Sequence, residues 1–305
     1  MSKMWYYIYY IGGKEMKGKW HPINSIIFFI IVLFSTMYAT NLVITGISLL
    51  SSLMTFLLLH RGEKKGKYLL LYLIIGIIII VTNPLFGQNG ETVLFNIGKY
   101  KYTLESLVYG GYASMMIISI LLWFSCYNKI ITADKFLYLF GKVAPSTSIT
   151  LTMGMRFIPE FLKRGKRIRQ AQKNIGITSS DFKGKVVNAS KQISILVSAS
   201  LENSMEVSNS MKARGYGLNK RTNYSIYKFR CGDFVQLVVQ LLYIVIMIMS
   251  IIYKYTDFVY YPKLEKIDLG NDRIILYIVT FLFMMLPSIK EIWEDLKWKF
   301  LESKI

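Results

Sequence analysis

The sequence predicts an all-α, polytopic membrane helix bundle with a helical segment inserted on its cytoplasmic side. Three observations predict it. Hydrophobic residues make up 53% of the chain at a mean hydropathy of +0.38, gathered in runs long enough to cross a bilayer. Lys and Arg collect in alternate loops between those runs. Residues 128–232, between the fourth and fifth runs, form a strongly basic block with helical patterning.

The apolar runs are Ile23 to Tyr38, Leu42 to Leu59, Tyr68 to Val81, Leu107 to Tyr127, Phe234 to Tyr255 and Ile274 to Leu286, which predict six spans. A helix needs about 20 residues to cross a hydrocarbon core about 30 Å thick. The third and sixth runs are short by that measure. The third extends through Pro84 to Phe86, and the sixth through Pro287 toward Trp293. Thr40 and Asn41 alone join the first two, a tight hairpin connection.

Loop charge sets the orientation. Residues 1–24 carry Lys3, Lys14, Lys17 and Lys19, and residues 60–67 carry Arg61, Lys64, Lys65 and Lys67. By contrast, Lys99 and Lys101 in 83–105 are balanced by Glu91 and Glu105. Lys263 and Lys266 in 257–272 face Asp257, Glu265, Asp268 and Asp272. Alternation through six spans then puts both termini and residues 128–232 in the cytoplasm of a cell-membrane protein. The expected domains are 1–127 (membrane), 128–232 (cytoplasmic) and 233–305 (membrane). Met4 to Ile11 is short and aromatic without a cleavage pattern, so it reads as an interfacial segment rather than a signal peptide.

The block 128–232 holds 19 Lys and Arg against five acids, a net +14 of the chain's +19. Anionic lipid headgroups, nucleic acid or an acidic protein surface could each use that charge. In the run Glu160 to Gly176, Phe161, Ile168 and Ile175 recur every seven residues, with Gly165 and Gln172 between them and cations on the other faces. Pro159 fits the first turn of that helix, and Gly176 the position just past its end. A second helix is expected from about Val186 to Arg214, ended by Gly215 and Gly217. Along it Ile193, Val197, Ser200, Ser204, Val207 and Met211 form a near-heptad stripe, and serines recur every four residues. Small side chains at that interval let another helix approach closely. Arg214, in the last turn, complements the helix dipole. It also presents a planar fork able to bond a carboxylate bidentately.

Several chemistries find no support. Cys126 and Cys231 are too few for a disulfide framework and read as reduced thiols. His21 and His60 do not make a metal site, and no cofactor is expected in this chain. Gly13 to Lys19 has the spacing of a phosphate-binding loop, but Trp20 replaces the required Ser/Thr and His21-Pro22 follows where a helix should begin. Aromatics are sparse among the cations of the block, which argues against nucleic-acid binding.

The chain resembles the transmembrane T component of energy-coupling factor transporters, the CbiQ-like family. The resemblance rests on His21-Pro22, Asn83-Pro84-Leu85-Phe86, Tyr102-Thr103-Leu104-Glu105-Ser106, Arg156-Phe157-Ile158-Pro159, Ala171-Gln172 and Met211-Lys212-Ala213-Arg214-Gly215-Tyr216. It implies a non-enzymatic scaffold joining a substrate-capturing membrane (S) subunit, for a vitamin or transition metal, to two cytoplasmic ABC-type ATPases. Those ATPases, not this chain, would bind ATP and Mg²⁺. Two coupling helices would each end in an Ala-Arg-Gly triplet docking one ATPase. Ala213, Arg214 and Gly215 match the second triplet, whereas Asn174, Ile175 and Gly176 stand where the first is expected, with Ile175 in the arginine's place. The alternative is a membrane enzyme or binding protein acting on anionic lipid phosphates.

Overall fold

The computed structural model describes residues 21–60, 65–86, 91–97, 100–132, 135–139, 144–176, 181–218, 227, 229–265 and 270–302. Two compact units divide the chain: Met1–Thr132 together with Tyr227–Ile305, and Ala133–Ile226. The Gly13 to Lys19 string and the aromatic segment from Met4 lie outside the described residues.

The first unit is a helix bundle of α1 (Pro22–Tyr38), α2 (Leu42–Leu59), α3 (Lys65–Phe86), α4 (Leu104–Ile130), α7 (Cys231–Ile252), α8 (Asn271–Met284) and α9 (Leu286–Glu302). Starts and stops follow local chemistry. Pro22 opens α1 at a position where a missing N–H costs nothing. The Asn41 side chain caps α2 by accepting from the Val43 N–H at 2.9 Å. Thr103 caps α4 in the same way. Pro287 has no N–H for the Phe283 carbonyl, so α8 stops and α9 leaves at a bend of 47°.

The chain is a polytopic, essentially all-α membrane protein, as its sequence predicts. Among the described residues four helices, α2, α3, α4 and α7, are long and apolar enough to span a bilayer, and the bent pair α8–α9, taken as one span, makes a fifth. Helix α1 is apolar but has 17 residues, roughly 25 Å at 1.5 Å per residue. The third run does extend through Pro84 to Phe86. One element is new: β1 (Val93–Ile97) and β2 (Tyr100–Thr103) pair antiparallel, with Asn96 opposite Lys101. Glu105 ties this hairpin to the start of α4, its Oε1 accepting from Thr92 Oγ1 at 2.7 Å.

The bundle core mixes aromatic packing with small hydroxyls. Phe28, Phe29, Phe56, Trp123, Tyr243 and Phe283 are buried together. Tyr243 and Phe283 stack at 3.9 Å between centroids. Between helices, Thr36 bonds Ser48 at 2.8 Å, Trp123 Nε1 donates to Ser48 at 3.1 Å, and Thr55 bonds Ser288 at 2.7 Å. Lipid tails are as apolar as leucine, so such bonds and close packing hold membrane helices together where hydrophobicity alone does not. Cys126 is buried and Cys231 exposed, both free.

At the end of the bundle carrying the α1–α2 turn, the chain after α7 is tied down by hydrogen bonds. Asn41 N donates to Thr256 O at 3.1 Å. Phe258 N donates to Thr40 Oγ1 at 3.0 Å, and Tyr260 Oη to Thr40 O at 2.7 Å. Tyr112 Oη donates to Ala39 O, and Asn41 Nδ2 to Tyr277 Oη at 2.9 Å.

Candidate functional site

The second unit is built on α5 (Pro145–Asn174) and α6 (Phe182–Ala213). Helix α5 begins a full four turns before the sequence expectation. Pro145, not Pro159, occupies its first turn, and Pro159 lies in the interior. The rule about proline at a helix start holds, but it applies to the other proline. In the Ser/Thr-rich stretch 146–152 the Thr152 hydroxyl bonds back to the Ser148 carbonyl one turn earlier, and the Ser148 hydroxyl reaches the Leu137 carbonyl outside the helix, so both hydroxyls are satisfied without ending it. Pro159 is therefore an internal interruption, with no N–H for the Met155 carbonyl. Helix α6 likewise begins at Phe182, ahead of Val186.

The two helices run antiparallel. Gln172 and Gln192 bond at 2.7 Å, and Arg164, held by Glu160 at 2.8 Å, reaches the Ala199 carbonyl at 3.5 Å. On α5, Phe161, Gly165, Ile168 and Gln172 are partly or wholly buried at the spacing read from the sequence, but a Cβ on Gly165 would meet nothing within 4 Å and Ile175, the last of the expected stripe, is 76% exposed. On α6 half of the expected stripe holds: Ser200, Val207 and Met211 are partly buried, whereas Ile193, Val197 and Ser204 are exposed. Ile193 and Val197 are 61% and 50% exposed. Ser190, Ser194, Ser198, Ser204 and Ser208 also lie on the surface, so of the serine repeat only Ser200 is partly buried. The seam residues are Asn188, Gln192, Leu196, Ala199, Ser200, Asn203 and Val207. They too follow a four-and-three spacing, beside a more hydrophobic stripe that faces outward. Apolar residues that face outward, Ile193, Val197 and Leu201 on α6 and Leu151, Met155, Ile158 and Leu162 on α5, invert the usual pattern of a soluble hairpin.

Gln172 is buried at the seam. Replacing it with Leu leaves the Gln192 amide without its partner and should lower full-chain stability by about 1–3 kcal/mol. Adding Gln192→Leu should restore most of it. Thermal unfolding of the intact protein in mild detergent measures both.

Both helix tips have the same stereochemistry. Past α6, Gly215 adopts φ +81°, with Gly215 N bonded to Lys212 O at 3.0 Å and Tyr216 N to Met211 O at 2.9 Å. That is a complete glycine-terminated stop. A Cβ on Gly215 would be strained by φ alone and would lie 3.1 Å from Leu218 Cδ1. Past α5, Gly176 adopts φ +79°, its N–H bonded to Lys173 O at 3.1 Å. Asn174, Ile175 and Gly176 are exposed at one tip, and Ala213 and Arg214, with a half-buried Gly215, at the other. Among the described residues no carboxylate pairs with Arg214. Arg156, Pro159 and Ala171 are exposed along α5. Antiparallel pairing puts the tips at opposite ends of the pair: Arg214 lies across from residues near 150, about 40 Å along α5 from Ile175.

Other chemistry-bearing groups are structural here. The His60 ring stacks on Phe56 at 4.3 Å, and His21 packs edge-on against Phe229 at 5.0 Å. No cluster of three or more His, Cys, Asp or Glu occurs among the described residues.

Residues 17–224 match the family model of CbiQ, described as a cobalt transport protein. The chain belongs to the CbiQ family. It is 27% identical over 244 residues to the energy-coupling factor transporter transmembrane protein EcfT of Streptococcus equi subsp. equi, covering 73% of this chain and 88% of that one. An uncharacterized protein of Mycoplasma pneumoniae is 31% identical over 104 residues, and one of Mycoplasma genitalium 30% over 104. The chain spans about a quarter of those two mycoplasma proteins. It is thus a multi-pass membrane protein of a transport family. The family is one of transporter membrane components and not of enzymes.

Proposed function

We propose that this chain is the coupling subunit of an energy-coupling-factor-type importer. It joins two cytoplasmic ABC-type ATPases to an S subunit that captures a vitamin or a transition-metal ion. The observation that carries this reading is the pair of exposed, glycine-terminated tips, Asn174-Ile175-Gly176 and Ala213-Arg214-Gly215, at opposite ends of one antiparallel helix pair in a CbiQ-family membrane protein.

The mechanism follows from stiffness and placement. Each tip docks in a groove of one ATPase, Arg214 bonding a carboxylate through its fork and Ile175 making an apolar contact. When the ATPases bind ATP and Mg²⁺ and close on each other, they displace the two tips. Gln172–Gln192 and Arg164–Ala199 hold α5 and α6 in register, so the displacement passes to the pair as a whole. The outward apolar stripes give an S subunit a surface that moves with the pair. That subunit chooses the cargo. Residues 128–232 and both termini lie on the ATPase side of the membrane, which suits the excess of Lys and Arg in the loops of that side.

The test is co-purification. The tagged chain, expressed with the two ATPases and the S subunit of its own genome and extracted in mild detergent, should retain all three. It should hydrolyse ATP only when the ATPases are present. A chain that purifies alone under those conditions, or that moves solute without ATPases, contradicts the proposal.

A further inference from the structure

The two ends of the membrane bundle are built differently. At the α1–α2 turn, the hydrogen bonds of Thr40 and Asn41 to Thr256, Phe258, Tyr260 and Tyr277 fix α1 to the segment after α7 and to α8. At the opposite end, from which the second unit's chain departs and to which it returns at Tyr227, α1 meets α7 through amides that are only half used. Asn24 Nδ2 donates to the Asp233 carbonyl at 2.7 Å, and Gln240 Nε2 donates to the Asn24 carbonyl at 3.0 Å. Turning either amide over would set oxygen against carbonyl oxygen, so both orientations are determined. Asn24 Oδ1 and Gln240 Oε1 are therefore acceptors without a donor among the described residues, although both residues are fully buried. One turn from Gln240 on the same face of α7, Gln236 Nε2 is buried without an acceptor.

An unpaired buried polar atom penalises the closed arrangement, because water would satisfy it on opening. Three of them lie at this seam, against Thr256 Oγ1 at the clamp, so this end is the cheaper place to part α1 from α7. The returning chain acts on that seam directly: Phe229 packs on His21, and the Asp233 carboxylate accepts from Arg230 N at 3.0 Å.

We infer that α7 hinges on α1, with the Thr40–Asn41 clamp as the fixed end and the Asn24–Gln236–Gln240 seam as the end that opens. Gln236, Gln240 and Asn24 are positioning residues for coupling: the load arriving through Phe229 and Arg230 opens the seam, and their unpaired atoms lower the work of doing so. The inference rests on the coupling role proposed above and names where in the bundle the motion occurs.

Spin labels test it in the assembled complex in lipid vesicles, in a Cys231→Ser background. One pair sits at Ile23 and Phe234, by the seam, and another at Met37 and Tyr253, by the clamp. ATP with Mg²⁺ should lengthen the first distance and leave the second unchanged. Gln236→Met keeps the shape and removes the unpaired donor. It should raise the melting temperature of the purified chain while shifting the ratio of closed to open seams about tenfold toward closed. Gln240→Met removes a bonded donor and should lower the melting temperature. Equal lengthening at both pairs, no lengthening at either, or a Gln236→Met protein that melts lower or opens normally overturns the hinge. ATPase retention is measured on the same samples. Its failure in the unsubstituted protein overturns the coupling role itself, and the hinge with it.

Discussion

Arg214→Glu should abolish retention of one ATPase and, with it, ATP-driven uptake. The side chain is exposed at the C-cap of α6, and no described carboxylate holds it in place. The fold therefore does not need it. Reversing the charge weakens the helix end by about 0.3–1 kcal/mol through the dipole, too little to unfold a helix of 32 residues packed along a seam. The effect on a partner is much larger. Removing one member of a desolvated charge pair costs about 2–5 kcal/mol, and placing a second carboxylate opposite the first adds repulsion. Retention should fall more than about 100-fold for Glu and about tenfold or more for Ala. Lys keeps the charge but loses the bidentate fork, and should be intermediate. Pull-down of the ATPases and uptake in vesicles read the series, with melting temperature as the control. Undiminished assembly and transport with Arg214→Glu would reject the role given to this residue.

The tip was legible for a simple reason. Gly215 and Gly176 lie in a backbone region that only glycine enters freely, so each marks a helix end whatever the helix packs against. The apolar runs were equally plain, because a bilayer demands length and hydrophobicity before any specific contact. The start of α5 was obscure. Pro159 satisfies a local rule for helix starts, but so does Pro145, and the helix begins at Pro145 and runs through Pro159. Strand hairpin β1–β2 was hidden inside a loop too short to advertise a sheet. The bond that ties it to α4 joins Glu105 and Thr92, thirteen positions apart. The α6 seam was legible at Ser200, Val207 and Met211 but not at Ile193 and Val197, because hydrophobicity normally marks the buried face. Here Gln192 and Asn203 face the partner helix while Ile193 and Leu201 face outward, a pattern that makes sense only when the outer face meets something else. The half-paired amides of Asn24 and Gln240 could not be foreseen. They depend on which carbonyl, more than two hundred residues away, each side chain meets.

Helix α3 provides the other large effect, and the expected order runs against the raw distances. Among the helices, α3 packs on α4, with Gly76 and Gly110 at the contact. A Cβ on Gly76 would lie 2.7 Å from Ile118 Cδ1 and 2.8 Å from Ser114 Oγ. Both are ends of rotatable side chains, so Gly76→Ala is accommodated by rotamer changes at about 1 kcal/mol or less. A Cβ on Gly110 would lie 3.3 Å from Ile80 O and 3.4 Å from Ile80 Cα, both backbone atoms, and 3.1 Å from Asn83 Cβ. The Ile80 carbonyl is the one that Pro84, inside α3, cannot bond. Close approach of Gly110 shields that carbonyl, so pushing the helices apart exposes it to lipid, where an unsatisfied backbone group is penalised. Gly110→Val adds bulk that no side chain can yield to. Overpacking of about 1–3 kcal/mol then comes with loss of the carbonyl's shielding. Gly110→Val should sharply reduce the yield of folded chain extracted in mild detergent and lower its melting temperature, whereas Gly76→Ala should leave both near those of the unsubstituted protein. The reverse ranking would mean that side-chain ends, not backbone approach, set the α3–α4 contact.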